Sequence, residues 1–202
     1  HKALGQRLDN VLAFLDVIDL DTDLGAAVVL TDDNILRNVD QTTGQITRVG
    51  GTKGGVGKSV IASFLYQVLR HRNKDVVAYD TDPVNATLLG YKEFKVVPID
   101  IVRQGQVDAR AFDELLEGLY SLPEGSHAIV DNGASSFLAL GNYIKDIGLI
   151  QLLEEQGHQV YFHSVVTGGQ AIGDTISGLK VLADGFAPTP IVVWLNPFFG
   201  EI

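Results

Sequence analysis

The apolar residues of this chain change their spacing in a regular way along most of its length. From residue 45 onward, short apolar runs alternate with longer segments in which apolar residues recur every three or four positions. The short runs have the length of buried strands, and the longer segments have the period of amphipathic helices. Strands are predicted at 45–49, 75–79, 96–101, 127–131, 159–166 and 190–195. Helices are predicted at 60–72, 108–119, 137–156 with a break near Gly148, and 168–183 with a cap at Gly185. This order predicts an α/β fold in which a mainly parallel sheet lies between two layers of helices.

The pattern is weaker before residue 45. Residues 2–18 carry a helical apolar stripe, residues 26–30 have the composition of a short strand, and a short helix is predicted to end near residue 39. The acidic run at 16–23 is interpreted as a solvated loop and not as a metal site, because it lacks the spacing of a calcium loop. We therefore divide the chain into an N-terminal extension, 1–44, of unclear role and a domain at 45–202.

The glycine-rich segment at 50–59, GGTKGGVGKS, lies between a predicted strand and a predicted helix. This context is the one that a phosphate-binding loop requires, because glycines let consecutive N–H groups turn toward the phosphates at the positive end of a helix. Lys58 is predicted to reach the β- and γ-phosphates, and the Ser59 hydroxyl to bind Mg²⁺. The remaining phosphate contacts are assigned to the backbone of Gly54, Gly55, Val56 and Gly57.

Three aspartates follow strands that are predicted to end at the same edge of the sheet. Asp80 and Asp82 stand at i and i+2 after the strand at 75–79, so both are expected to face the phosphates. Asp131 ends the apolar strand at 127–131, which has the form of a Walker B strand whose carboxylate holds Mg²⁺ through water. The segment 132–136 is the candidate second switch. The alternative for each segment is an ordinary turn, since Asp-Pro and Asn-Gly are common in turns.

Two of these segments carry a resemblance to a known family. The loop KGGVGKS at 53–59 resembles the deviant Walker A loop of the ParA/MinD family of P-loop ATPases, and Asp-Thr-Asp-Pro at 80–83 resembles the switch of that family. The resemblance implies a P-loop NTPase fold and ATP with Mg²⁺ as cofactors. It also implies that Lys53 is the signature lysine that reaches across a dimer interface to the other subunit's nucleotide. The alternative is that Lys53 is a solvated loop charge.

The same resemblance implies roles for further positions. Asp80 is expected to help hold the Mg²⁺ shell, and Asp82 to orient or activate the attacking water. Asn196, at the end of the last predicted strand, is expected to contact adenine, as asparagines at such strand ends do in many nucleotide-binding relatives. Together with the segments 80–87, 130–137, 167–171 and 193–197, the similarity extends over residues 46–200 and is to a member of the family that is accessory to plasmid conjugation.

Composition narrows the set of partners. The net charge of −10 argues against bulk electrostatic binding to DNA or anionic membrane. A basic cluster at 70–74 is explained either by the dipole of the helix that it ends or by weak DNA binding. With no cysteine, this chain forms neither disulfides nor iron–sulfur clusters. No apolar run approaches the ~20 residues of a membrane helix, and no signal-peptide layout opens the chain, so a cytoplasmic location is expected.

Two further positions are interpreted from the pattern. His163, inside the strand at 159–166, is interpreted as a core residue and not as a catalyst. In the helix at 168–183, the residues expected to face the sheet are Ile172, Ile176, Leu179 and Leu182.

The leading functional hypothesis is an ATPase with a low turnover rate that dimerises with ATP. Its expected partners are a second copy of the chain and other conjugation or plasmid-maintenance proteins. The first alternative is a nucleotide-gated adaptor or DNA-partition-type switch with negligible turnover. The second is a small-molecule kinase or ligase with Asp82 as general base. The first alternative needs the same loop as the leading hypothesis, so sequence motifs do not separate the two. The second would leave Lys53 without an evident task.

Overall fold

A single parallel sheet organises the chain. The computed structural model describes residues 27–28, 44–82, 85–103 and 106–202. Seven strands pair in the order β1-β9-β8-β2-β7-β3-β4, and every pairing in this sheet is parallel. A separate antiparallel pair joins β5 to β6. The predicted α/β class with a parallel sheet between helices is therefore confirmed.

The strands of the described residues are bounded as follows: β1 Ala27–Val28, β2 Gln45–Gly50, β3 Val76–Asp80, β4 Val96–Pro98, β5 Val102–Arg103, β6 Gln106–Val107, β7 His127–Asp131, β8 Gln159–Thr167 and β9 Ile191–Asn196. The helices are α1 Lys58–His71, α2 Phe112–Tyr120, α3 Phe137–Asp146, α4 Leu149–Glu155 and α5 Ile172–Phe186. Short 3₁₀ turns at Leu88–Gly90, Ala109–Ala111, Gly169–Ala171 and Pro197–Phe199 join them.

The central strands bury both faces, as parallel strands covered by helices do. Along β7, Ala128 and Val130 belong to one apolar cluster, with α2 to α5, and Ile129 belongs to the other, with α1. Neighbouring side chains on a strand point to opposite faces, so the three apolar residues of β7 contribute to two cores at once. The carboxyl ends of β2, β7 and β3 consequently lie side by side, and they carry the glycine-rich loop and the aspartates.

Several boundaries differ from the predictions. The strand predicted at 96–101 stops at Pro98, because Pro98 pairs with Asp80, the last residue of the neighbouring strand β3. The last helix passes through Gly185 and ends at Phe186, so Gly185 is not its cap. Ile176 on that helix is 50% exposed, although it was predicted to be buried. The break near Gly148 is confirmed, since Gly148 has φ of 63° between α3 and α4.

Of the predictions for residues 1–43, only the one at 26–30 includes residues that the structure describes. Ala27–Val28, within the strand predicted at 26–30, pairs with β9. The predicted helices at 2–18 and before residue 39, and the acidic run at 16–23, lie outside the described residues. The segment 80–87, which carries the switch-like sequence, is called the first switch below. Its residues Pro83 and Val84 lie outside the described residues as well. The β5–β6 pair was not predicted, because two-residue strands have no detectable period.

Candidate nucleotide site

The glycine-rich loop crosses from the end of β2 to the start of α1. Gly55 and Gly57 have φ of 73° and 103°, in the left-handed region that glycine adopts without strain. No side chain caps the start of α1, where Gly57 is the N-cap residue. The first N–H groups of a helix have no partner within the helix and attract anions. Gly55 and Gly57 therefore adopt backbone conformations that suit a phosphate cradle, and phosphate binding by Gly54, Gly55, Val56 and Gly57 stays a prediction.

Lys58 lies inside this loop and is only 7% exposed. Its Nζ donates a hydrogen bond to the carbonyl oxygen of Lys53 at 2.6 Å. Burial lowers the pKa of Lys58, and the negative charges of Asp131 and Asp82 oppose this shift. The ammonium is thus hydrogen-bonded to the loop backbone and attracted by two of the predicted site carboxylates.

Asp131 and Asp80 end neighbouring strands and face each other in the β3–β7 register. Burial raises the pKa of Asp131 to about 6, and a hydrogen bond with the Ser59 hydroxyl opposes this shift. Asp131 Oδ2 is buried without a hydrogen-bond partner among the described residues. An unpartnered buried carboxylate oxygen beside a serine hydroxyl is a suitable donor set for a hard cation such as Mg²⁺.

No group of three or more acidic or histidine side chains with metal-ligand geometry occurs in the described parts of the chain. Asp80 contributes to the site in a different way. Its Oδ1 accepts from the Asp82 N–H at 3.0 Å and its Oδ2 from the Leu88 N–H at 3.2 Å. Asp80 therefore also fixes the backbone of the first switch.

Asp82 lies where the two switches meet. Its Oδ1 accepts from the Asn85 N–H at 3.1 Å, on the side of the first switch. A Cβ added to Gly133, in the second switch, would lie 2.7 Å from Asp82 Cγ. Only glycine permits this approach, because real Cβ atoms do not come so close to other heavy atoms. The structure thus brings together all the predicted carboxylates, Asp80, Asp82 and Asp131.

Lys53 lies on the opposite, exposed side of the loop. Its Nζ forms an ion pair with Asp174 Oδ2 at 3.1 Å, and the two side chains are 47% and 59% exposed. The adjacent Thr52 hydroxyl donates to the backbone carbonyl of Asp174 at 2.9 Å. A Cβ added to Gly178 would lie 2.8 Å from Thr52 Oγ1, so the loop packs closely on the first turns of α5. The sequence analysis missed Asp174, although an acid in the first turn of a helix that follows a strand end was a usable signal.

Asn196 contacts the same loop from β9. Its Nδ2 donates to the Val56 carbonyl at 2.9 Å, and its Oδ1 accepts from the Phe198 N–H at 3.2 Å. The adenine contact of Asn196 stays a prediction.

His163, on β8, is buried as predicted, and its Nδ1 accepts from Trp194 Nε1 at 2.9 Å. Burial lowers the pKa of His163 to about 3, so it is neutral at physiological pH.

A second residue missed by sequence analysis is Arg48, a buried arginine on β2 beneath the loop. Its Nη2 donates to Asn132 Oδ1, at the start of the second switch, at 2.7 Å. The sequence signal that could have identified it is a lone arginine within an otherwise strand-like segment.

The basic cluster at 70–74 includes Arg70 and His71 in the last turn of α1, where cations complement the helix dipole.

With this geometry in hand, the sequence can be compared with known proteins. Residues 48–184 match the family described as the CobQ/CobB/MinD/ParA nucleotide binding domain, and this match includes the loop, both switches and most of α5. The chain belongs to this family. The membership confirms the resemblance to ParA/MinD-type proteins inferred from the loop and the switch.

Two curated relatives from Escherichia coli are both named Protein TraL. They are 44% and 46% identical to this chain over 151 residues, which is 74% of this chain and 62% of each relative. The chain thus spans less than two thirds of the length of these relatives. The expected similarity to a conjugal-transfer member of the family is borne out at the level of these two relatives.

Among solved structures, the crystal structure of FtsY from Mycoplasma mycoides superposes with a TM-score of 0.51 at 12% identity. The superposition covers 92% of this chain and 59% of that one. At this identity, the likeness supports the fold alone. Within the described parts of the chain, every helix is too short or too polar to span a membrane.

Proposed function

We propose that this chain binds ATP with Mg²⁺, dimerises around the nucleotide, hydrolyses it with a low turnover rate and serves as an accessory protein in plasmid conjugal transfer. The observation that carries the proposal is the environment of Lys58. This buried ammonium lies inside a glycine loop at a helix start, under the influence of Asp131 and Asp82, with Ser59 bonded to Asp131. Such a set of groups matches the needs of phosphoryl transfer, in which positioning and charge stabilisation provide most of the catalysis.

Each side chain has a distinct role in this proposal. Lys58 binds the β- and γ-phosphates from within the loop, and Asp82 orients the attacking water. Ser59, Asp131 and Asp80 hold the metal shell, and Mg²⁺ supplies charge neutralisation on the phosphate oxygens when it is bound. Asn196 contacts the base.

Lys53 acts on the partner subunit's nucleotide in this proposal. The contrast between its exposed ion pair and the buried Lys58 supports different roles for the two lysines of one loop. An ion pair between half-exposed side chains is weak, so the triphosphate of a second copy competes effectively with Asp174 for Lys53. Dimerisation then completes both sites with two lysines each.

The role in conjugation rests on the two relatives named TraL. We expect other conjugation or plasmid-maintenance proteins to be the partners, and the cytoplasm to be the location. Direct contact with DNA is expected to be weak, because the net charge is −10.

The test measures binding, assembly and turnover separately. Calorimetry with ATP and with GTP in millimolar Mg²⁺ reports binding, and light scattering with a non-hydrolysable analogue reports dimerisation. Release of inorganic phosphate, with and without conjugation proteins, reports turnover. Absence of binding by either nucleotide contradicts the proposal. Binding without turnover under any condition replaces the ATPase by a nucleotide-gated adaptor, and transfer of phosphate to a metabolite replaces it by a kinase.

A further inference from the structure

Arg48 is a charged side chain buried in the centre of the sheet. It is 4% exposed, and its guanidinium carbon lies 5.1 Å from the ring centre of Phe137 and 5.6 Å from that of Phe162. Its Nη2 donates to Asn132 Oδ1 at 2.7 Å and to the Phe137 carbonyl at 2.9 Å. Both acceptors belong to the second switch and the start of α3, which follows it.

This position is unfavourable for an arginine. Burial lowers the pKa of Arg48 to about 9, and no carboxylate of a described residue opposes the shift. Within the described residues, Nε and Nη1 of Arg48 have no hydrogen-bond partner. An unpaired buried charge destabilises a fold, and apolar replacements of buried charged groups are often neutral or stabilising. Stability alone therefore favours an apolar residue at this site.

The arginine determines the orientation of the Asn132 carboxamide. Arginine only donates hydrogen bonds, so the atom facing it must be the oxygen. The Nδ2 of Asn132 then faces the opposite way and donates to Thr81 Oγ1 at 3.2 Å and to Ser136 Oγ at 2.5 Å. The Asn132 N–H donates to the Val49 carbonyl at 2.9 Å. One side chain thus joins β2, the first switch and the second switch.

The residues next to these contacts form the proposed hydrolytic site. Thr81 immediately precedes Asp82, and both its N–H and its hydroxyl donate to the Asp131 carbonyl, at 2.9 and 3.1 Å. Gly133 immediately follows Asn132 and lies against the Asp82 carboxyl group. A rotation of the Asn132 carboxamide would break its bonds to Thr81 and Ser136, and with them the packing that locates Asp82.

We propose that Arg48 is a positioning residue for hydrolysis: by fixing the Asn132 carboxamide, it keeps both switches together and holds Asp82 in its working position. The inference rests on the proposed function, in which Asp82 orients the attacking water. It explains why the chain keeps a charge where packing favours an apolar side chain.

The test uses Arg48→Met in the full chain, with Ile46→Met as a matched control on the same strand. Ile46 is a buried residue two positions earlier, so its side chain faces the same side of the sheet. We expect Arg48→Met to stay folded and to bind ATP within about twofold of wild type. Its melting temperature is expected to stay close to that of wild type, because removal of a buried charge offsets the loss of the hydrogen bonds to Asn132 and Phe137. We expect its kcat to fall roughly 10- to 100-fold, because small displacements of positioned groups reduce rates by such factors. Ile46→Met is expected to keep the wild-type kcat.

Arg48→Lys provides a second test, because an ammonium still donates hydrogen bonds to Asn132 and is expected to restore part of the lost turnover. The NMR signals of the Asn132 carboxamide give a measurement that does not need activity. Both variants are expected to shift these signals, Arg48→Met more than Arg48→Lys. If wild type shows no turnover, the proposed function fails while the carboxamide signals still test Arg48.

Two results would overturn the inference. One is unchanged Asn132 signals in Arg48→Met, because the arginine would then not orient the carboxamide. The other is a large fall in melting temperature in both Arg48 variants with kcat per folded molecule unchanged, because Arg48 would then act through stability.

Discussion

Two lysines of one loop, five positions apart in the sequence, have contrasting surroundings. Lys58 is buried, hydrogen-bonded to the loop backbone and influenced by Asp131 and Asp82. Lys53 is about half exposed and pairs with Asp174 on α5. The same functional group is therefore fixed in one case and exchangeable in the other. The difference teaches that the loop has an enclosed inner side and an exposed outer side. Under the proposed function, the inner side binds the chain's own nucleotide and the outer side meets a partner.

The largest expected effect comes from Lys58→Ala. Loss of charged hydrogen bonds to a ligand costs up to about 3 kcal/mol each, so nucleotide affinity is expected to fall roughly 100-fold or more. Lys53→Ala, measured by the same calorimetry, is expected to bind a single equivalent of nucleotide as wild type does. Equal losses in the two variants would abolish the distinction between the inner and outer lysine.

Dimerisation, unlike nucleotide affinity, is expected to depend on the outer lysine, Lys53. Lys53→Ala is expected to remain monomeric with a non-hydrolysable ATP analogue, as measured by light scattering. Asp174→Asn frees Lys53 and is expected to lower the nucleotide concentration for half-maximal dimerisation by about fivefold, because a weak ion pair no longer competes. Asp184→Asn, on the exposed face of the same helix, is the control and is expected to match wild type. Dimer formation by the Lys53 variant would remove its role across the interface.

The stability of the fold is expected to depend on pH through Asp131, which lies on the inner side of the loop. Burial raises its folded-state pKa from the ordinary 3.8 to about 6, so the carboxyl stabilises the fold when protonated. That contribution is present below pH 4 and is lost as pH rises through 6, by roughly 3 kcal/mol at 1.36 kcal/mol per pH unit. In chemical denaturation without Mg²⁺, Asp131→Asn is expected to lose most of this dependence and to be more stable than wild type at pH 7.

Magnesium should reverse the sign of this effect. Binding requires the ionised carboxylate, so Mg²⁺-dependent nucleotide affinity is expected to rise with pH through 6 in wild type and to lose that rise in Asp131→Asn. If the stability of Asp131→Asn depended on pH as strongly as that of wild type, another group would be responsible for the dependence. Asp80 is the neighbouring carboxyl group whose pKa burial also raises.

The smallest expected effect concerns the support of the outer side. A methyl group at Gly178 would lie 2.8 Å from Thr52 Oγ1 and 3.3 Å from Thr52 N, so Gly178→Ala must push the loop away from α5. Gly173→Ala meets no atom within 4 Å on the same helix and is expected to stabilise by up to about 1 kcal/mol through helix propensity. Thermal unfolding should separate the two, with Gly178→Ala about 1 kcal/mol below Gly173→Ala. Equal stability of the pair would mean that the loop is not held by this contact.

Much of the fold could be predicted from local patterns. The predicted strands at 45–49, 127–131 and 159–166 match β2, β7 and β8 to within one residue at each end, because short segments rich in β-branched and aromatic residues are typical of strands. Errors arose where a local rule competed with packing. Gly185 was predicted to end a helix, but α5 continues past it while Phe186 packs on the buried Phe162 ring.

The site divides in the same way. The loop and the strand-end aspartates could be predicted, because each is a short motif whose chemistry depends on adjacent residues. The partners of Arg48 and of the outer part of the loop could not be predicted. Asn132 lies 84 positions from Arg48, and Asp174 lies 122 positions from Thr52, the residue next to Lys53. No periodicity relates residues so far apart along the chain.

The sequence by itself determined the fold class, the family and the candidate groups for phosphate binding, because glycine conformations, strand length and helix polarity are local properties. Only the tertiary structure decided which lysine is buried, which acid pairs with the other and which side chain orients Asn132. Those contacts depend on the order in which β8, β2, β7 and β3 lie side by side. Strand order follows from the packing of the whole sheet and its helices, and the spacing of residues along one strand carries no record of its neighbour.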